Sequence, residues 1–223
     1  MPKTRNRKYK KQRKTRTRKS KPDYLAYVNP HVYQKRGDFG MGTYTSKSIP
    51  SGTVIIEEFP RNINAVSDDD YKYKLIRHLL STDRKNFMDL VPLELDYDAN
   101  DIYDYEKHMK FFPELSEDLM KLYYLKYKRN AFSFDNQPSI LFFSTKMNHS
   151  CDSNCTYYRD NDRMVFKAKR DIQAGEELFD SYISCDVPRE ERQRTLKQRY
   201  GFDCACSRCN KEKYETSYYT DQK

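Results

Sequence analysis

Three clusters of residues in this 223-residue chain carry side chains able to do chemistry at short spacing. Asn148-His149-Ser150-Cys151-Asp152-Ser153-Asn154-Cys155 gathers amide, imidazole, thiol and carboxylate groups, although such a string also fits an ordinary turn. Cys204-x-Cys206-x2-Cys209 places three thiols close together, and three cysteines so near each other suggest metal ligation. A closed structural zinc site is tetrahedral and takes four ligands, so the fourth must come from elsewhere. Cys151, Cys155, Cys185 and His149 are the candidates. If Cys151 supplies it, the C-terminal segment is tied back onto the Asn148-His149 turn. The third cluster, Gly175-Glu176-Glu177-Leu178-Phe179-Asp180-Ser181-Tyr182-Ile183, is a turn entering a strand. At a period of two, Leu178, Asp180 and Tyr182 share one face of it.

Gly40-Met41-Gly42 is a weaker signal. Two glycines flanking one residue let a backbone approach a ligand closely. The third glycine of a dinucleotide fingerprint is missing and no Gly-Lys-Ser/Thr follows, which excludes both common nucleotide-phosphate motifs. The four histidines, His31, His78, His108 and His149, show no metal-ligand spacing, and the first three read as surface or structural groups. No Ser-His-Asp arrangement is readable.

The elements that must position these groups are mainly short strands. Between Tyr27 and Phe59, strand-like runs alternate with Gly37-Asp38, Gly40-Met41-Gly42 and Pro50-Ser51-Gly52. Residues 67–130 change character. Ser67 and Asp70 resemble a capping box ahead of Leu75, Ile76, Leu79 and Leu80 at helical spacing. A further helix is expected from Ser116, with Leu119, Leu122 and Tyr123 on one face. Pro92 and Pro113 break this region into pieces, and its seven acids between Asn86 and Glu106 read as a solvated face. The apolar run Ile140-Leu141-Phe142-Phe143 predicts a buried strand delivering Asn148 and His149, followed by strands over Met164–Ala168 and Leu178–Ile183. Pro188 at a first helical position opens a helix with Glu190 and Glu191 at its start and Arg194, Lys197 and Arg199 toward its end, and Gly201 stops it. The expected organisation is a basic disordered tail (1–22), an N-terminal β part (23–66), a helical insert (67–130), a C-terminal β part (131–185), a helix with the cysteine cluster (186–213) and a terminal tail (214–223). The fold class is mainly β with an α insert.

Charge is divided unevenly. The chain has 42 Lys and Arg against 33 Asp and Glu. Twelve of the bases and none of the acids lie in residues 1–21, which leaves thirty bases against thirty-three acids, a net of −3, on the rest. The basic character belongs to the tail, which suits a nuclear-localisation signal or nonspecific contact with nucleic-acid phosphate. The mildly acidic body suits a cationic partner. Met1 leads into basic residues with no apolar h-region, so no signal peptide is expected, and no apolar run approaches membrane-spanning length. An intracellular, nuclear monomer is the expectation.

Taken together, these motifs resemble the SET-domain protein lysine methyltransferases. Gly40-x-Gly42 with Ile49-Pro50-x-Gly52, Asn148-His149-Ser150-Cys151-x-x-Asn154, Gly175-Glu176-Glu177-Leu178 ending at Tyr182, and Cys204-x-Cys206-x2-Cys209 follow that family's order. Residues 181–204 are similar to the SMYD-like branch, without a cysteine-rich MYND finger. The resemblance implies a fold of small β-sheets with a C-terminal pseudoknot and a zinc-binding post-SET segment. It implies S-adenosylmethionine as cofactor, contacted by Gly40, Met41, Gly42, Asn130, Asn148, His149, Tyr182 and Phe202. It implies Tyr182 as the catalytic residue, Tyr200 and Asp180 in a substrate channel, and one structural Zn2+ held by Cys151, Cys204, Cys206 and Cys209. The implied partner is a lysine-bearing protein, a histone or another basic tail, with methylation of the chain's own tail as a variant. A catalytically silent module that binds nucleic acid through residues 1–22 is the reading from another class.

Three departures from the family pattern stand out. Ser153 replaces a usual Pro, the MYND finger is missing, and Asp180 stands where relatives carry an aromatic or aliphatic residue. Asp180 could hold a lysine ammonium or a water, or hinder the reaction.

Overall fold

The computed structural model describes residues 21–63, 69–95 and 104–220, with side chains up to residue 213. The basic run before Lys21 and the expected cap at Ser67 lie outside the described residues. Four strands precede the insert: β1 (Leu25–Val28), β2 (Val32–Gly37), β3 (Gly40–Thr45) and β4 (Val54–Glu58). The insert holds α1 (Tyr71–Thr82), α2 (Arg84–Met88), α3 (Tyr105–Phe111) and α4 (Glu117–Asn130). After it come β5 (Ala131–Phe134), β6 (Gln137–Ile140), a 3₁₀ turn (Ser144–Lys146), β7 (Asn148–His149), β8 (Cys155–Asp160), β9 (Arg163–Ala168), β10 (Glu177–Asp180), α5 (Arg189–Tyr200) and α6 (Ser207–Thr220).

Two four-stranded sheets run in the orders β1-β4-β9-β8 and β2-β3-β10-β7, with β5-β6 as a separate hairpin. Each large sheet takes two strands from either side of the insert, so neither half of the chain completes a sheet alone. The β7–β10 pairing is parallel and sets Asn148 opposite Phe179 and His149 opposite Asp180. Ile55, Ile56, Leu141, Met147, Phe166 and Leu178 form the core built from these sheets. Aromatic and aliphatic residues of α1, α2 and α4, with Ile140 and Phe142, form a second core. No described helix is long and apolar enough to cross a membrane.

Local chemistry explains where the elements stop. Ser116 Oγ accepts a hydrogen bond from Leu119 N at 3.3 Å and caps α4 at its expected start. Gly201 ends α5 at φ 82°, a left-handed conformation that costs glycine little. Pro188 is the cap before α5 and not its first residue. Asp70 precedes α1 without a side-chain cap bond, because Lys107 and Lys110 hold its carboxylate at 3.1 and 2.6 Å.

Two strand expectations are corrected. Of Ile140–Phe143, only Ile140 is in a strand. Glu58 explains the break, since its carboxylate accepts hydrogen bonds from Phe143 N at 2.8 Å, Ser144 N at 2.8 Å and Ser144 Oγ at 2.7 Å, folding the backbone into the 3₁₀ turn. The last strand ends at Asp180, so Leu178 and Asp180 are buried within it while Tyr182 lies beyond it.

Candidate functional site

The thiols of Cys151, Cys204, Cys206 and Cys209 lie within 4.8 Å of one another. The other two cysteine candidates fall outside this set: Cys155 is buried in the sheet core, and Cys185 packs against the cluster with its Sγ 3.0 Å from Ser181 Oγ. His149 lies beside the cluster, with Nε2 3.3 Å from Cys151 Sγ. Four thiols this close cannot all ionise without a counter-charge, and the consequence is a split within the cluster. Hydrogen bonding to Cys204 and burial push Cys151 far up, while hydrogen bonding from Cys151 holds Cys204 well below the usual thiol range. A soft dication in the centre would resolve that conflict, so the donor set fits zinc. Support comes from α5: Arg192, 1% exposed, sets Nη2 3.7 Å from Cys209 Sγ and pairs with Glu212.

His149 joins this cluster to the next feature. Its Nδ1 accepts a hydrogen bond from Tyr182 N at 3.0 Å. The neutral ring therefore carries its proton on Nε2, facing Cys151. This bond fixes the backbone of Tyr182 just past the strand, and Tyr182 Oη donates to Met147 O at 2.7 Å. Tyr200 Oη donates to Tyr182 O at 3.2 Å. The Tyr182 ring lies 5.0 Å from that of Tyr200, 5.3 Å from His149 and 6.4 Å from Phe202. Burial pushes the Tyr182 hydroxyl well above its ordinary range, with the charge of Asp180 adding to the effect, so it is neutral. Asn154, singled out only as part of a motif, knits the turn to β10: its Nδ2 donates to Glu177 O at 2.7 Å and its Oδ1 accepts from Phe179 N at 2.7 Å.

Two cavities meet at this point and share Phe39, Asn148, Tyr182 and Phe202 in their walls. The first, about 540 Å³, also takes Asn130, Phe132, Tyr157 and Tyr200, with Arg129 and Arg199 its only charged lining groups. The second, about 520 Å³, takes His149 and the 203–207 loop and is lined by Asp152, Glu176 and Asp203 as well as Arg170. Arg170 pairs with Glu176, which holds that carboxyl down at about 2.

The sequence-chosen residues divide accordingly. Asn130, Asn148, Tyr182, Tyr200 and Phe202 come together around the first cavity, and His149 around the second. Asn130 Nδ2 donates to Val91 O at 2.6 Å and Lys126 O at 2.7 Å, which fixes Val91 and Pro92 in the cavity wall. Lys126 Nζ donates to Met88 O at 3.0 Å and Pro92 O at 2.7 Å, pinning the same segment. Gly40, Met41 and Gly42 line neither cavity. A Cβ on Gly42 would stand 2.3 Å from Glu177 Oε1, so that glycine admits Glu177, whose Oε1 accepts from Asn148 Nδ2 at 2.7 Å. Gly40, at φ +93°, faces open space. Asp180 lines neither cavity and is 1% exposed. Phe39, Phe132, Tyr157, Arg129 and Arg199 were not anticipated. Arg129 and Phe132 flank the chosen Asn130, and that proximity was the signal available for them.

Residues 40–183 match the SET domain family model. The chain belongs to the SET-domain family. It is 31% identical over 194 residues to a SET domain-containing protein of Acanthamoeba polyphaga mimivirus, covering 76% of this chain and 73% of that one. It is 30% identical over 185 residues to histone-lysine N-methyltransferase set5 of Schizosaccharomyces pombe, covering 82% of this chain and 51% of the relative. Over 74 residues it is 36% identical to human histone-lysine N-methyltransferase SMYD3, covering 33% of this chain and 17% of SMYD3. It thus spans about half the length of set5 and less of SMYD3. Among solved structures, the SET domain of LSMT bound to methyl-lysine and AdoHcy superposes with a TM-score of 0.59 at 14% identity, covering 81% of this chain and 54% of that one. At that identity the likeness shows the fold.

Proposed function

We propose that this chain transfers a methyl group from S-adenosylmethionine to the side-chain amine of lysine in a protein. The observation that carries this reading is the position of Tyr182, a neutral phenol in the wall shared by two cavities, held by His149 and Met147. The names of the relatives, histone-lysine N-methyltransferases, support the reaction class.

The first cavity suits the methyl donor. Phe202 and Phe39 offer aromatic faces for a purine, and Arg129 and Arg199 offer counter-charge for a carboxylate. Phe132, Tyr157 and Tyr200 provide an apolar, aromatic approach to Tyr182 for a lysine side chain. The acids of the second cavity support a basic protein substrate, such as a histone tail.

The chemistry is displacement of a methyl group from sulfur by nitrogen. The attacking amine must first lose a proton, from a reference pKa of about 10.4. Tyr182 spends its own proton on Met147 O, so its oxygen faces the reactants as an acceptor, able to orient an amine N–H and to polarise the transferring methyl. Its raised pKa rules out service as a phenolate base. The four cysteines would hold zinc as a structural tie that keeps Phe202 and Tyr200 against the Asn148-His149 turn.

The test is methyl transfer from radiolabelled S-adenosylmethionine to core histones and other lysine-rich proteins, comparing wild type with Tyr182→Phe. Label on a protein substrate, lost in the variant, is the expected result. No label and no S-adenosylmethionine binding would overturn the proposal.

A further inference from the structure

One face of α5 is turned to the cysteine loop, and the residues that form it recur at helical spacing: Arg189, Arg192, Gln193 and Leu196. Arg189 Nε donates to Cys209 O at 2.9 Å. Gln193 grips Cys204 from both sides, its Nε2 donating to Cys204 O at 2.7 Å and its Oε1 accepting from Cys204 N at 2.8 Å. Leu196 packs among Cys151, Cys204 and Cys209. These contacts place the loop. Arg192 does something else, because it reaches a sulfur. Its Nη1 donates to Val187 O at 2.6 Å, while Nη2 lies 3.7 Å from Cys209 Sγ.

A guanidinium is rarely buried, since its charge must find anions or acceptors in place of water. Among the described residues, Lys126 and Arg192 are the buried cations. Lys126 Nζ is met by the carbonyls of Met88, Leu90 and Pro92 and serves the fold. Arg192 instead meets a thiol of the cluster and the carboxylate of Glu212. Glu212 also lies 2.7 Å from Arg208 Nε, so one negative charge is divided between two guanidinium groups. Arg192 therefore keeps positive charge to offer the sulfurs. Four thiolates around a dication leave two net negative charges on the centre. A cation beside buried sulfur acts through a low dielectric and is screened far less than one at the surface.

We infer that Arg192 is the counter-charge of a zinc–tetrathiolate centre and tightens metal binding by stabilising the negative charge the four cysteines leave on it; this rests on the cluster holding zinc. Arg192 lines neither cavity, so it is a positioning residue that works through the cysteines. Its effect still reaches the cleft. Cys204 and Cys206 stand in the wall of the second cavity and Phe202 in the walls of both, so a centre that retains its metal retains those walls.

The test is zinc affinity of the full chain, read at fixed pH by competition with the chromophoric chelator pyridylazoresorcinol. Arg192→Met keeps an apolar stem, removes the charge and should weaken zinc binding about 10- to 100-fold. Arg192→Lys keeps the charge without the fork and should lose less than about tenfold. Glu212→Gln removes the competing anion and should bind zinc as tightly as wild type or more tightly. That direction separates charge from bracing: a strut held in place by Glu212 would weaken in Glu212→Gln as it does in Arg192→Met. A loss of less than about threefold in Arg192→Met overturns the inference and leaves the zinc reading standing. No zinc bound by wild type overturns both. Should Arg192→Met not fold, the other two variants decide, and a loss of about tenfold or more in either overturns the charge role.

Discussion

Glu58 and Asp180 are both buried carboxylates at the ends of strands, one in each large sheet, and they differ in what holds their side chains. Glu58 accepts three hydrogen bonds from Phe143 and Ser144, and Asp180 accepts none at its side chain. Burial raises the pKa of both, but at Glu58 those bonds pull against it. The Glu58 region spends a buried charge on shaping the chain, because its carboxylate turns the backbone that leads to Asn148 and His149. The Asp180 side chain has no hydrogen-bond partner among the described residues. A buried polar group with a full set of partners belongs to the fold, and one without them calls for another explanation.

Variants can break or sharpen this contrast. The largest effect is expected at the cysteine cluster, where Cys206→Ser should drop zinc content from roughly one ion per chain to near none and loosen the 202–209 segment. Metal analysis and proteolysis of that segment check it. Tyr182→Phe should lower turnover about 100- to 1,000-fold with little change in melting temperature, because the loss falls on the reacting groups and one surface of the cavity. Glu58→Ala should cost about 3 kcal/mol by denaturant unfolding, since it strands the Phe143 and Ser144 amides, and Glu58→Gln should recover part of that. Asp180→Asn should go the other way and stabilise the protein by about 1–2 kcal/mol, because it removes a buried charge without a partner.

The pH dependence sharpens the same point. Asp180 has a folded pKa above its unfolded value, so its penalty is absent below about pH 4 and grows as pH rises toward about 8. Each pH unit in that window removes at most about 1.4 kcal/mol of stability from the unliganded protein. Asp180→Asn should flatten the slope in urea melts between pH 5 and 8. An unchanged slope would make Asp180 as structural as Glu58.

Much of this is legible in the sequence. The cysteine spacing, the Ser116 cap and the Gly201 stop are local signals, and the structure places each where local chemistry requires. What escaped depends on contacts between distant positions. The strand expected over Ile140–Phe143 is broken by Glu58, 85 residues from Phe143 in sequence. Tyr182 leaves the period-two face of Leu178 and Asp180 because His149, 33 residues away, captures its amide. Periodicity carries no record of a side chain that reaches across the molecule to a backbone amide, and both differences are of that kind.

The most direct test of the central claim is mass spectrometry of a protein substrate after incubation with this chain and S-adenosylmethionine. The expected product carries the mass of one or more methyl groups on a lysine side chain, absent when Tyr182→Phe replaces wild type. Methylation confined to another residue type, or equal lysine methylation by Tyr182→Phe, would contradict a lysine methyltransferase built around Tyr182.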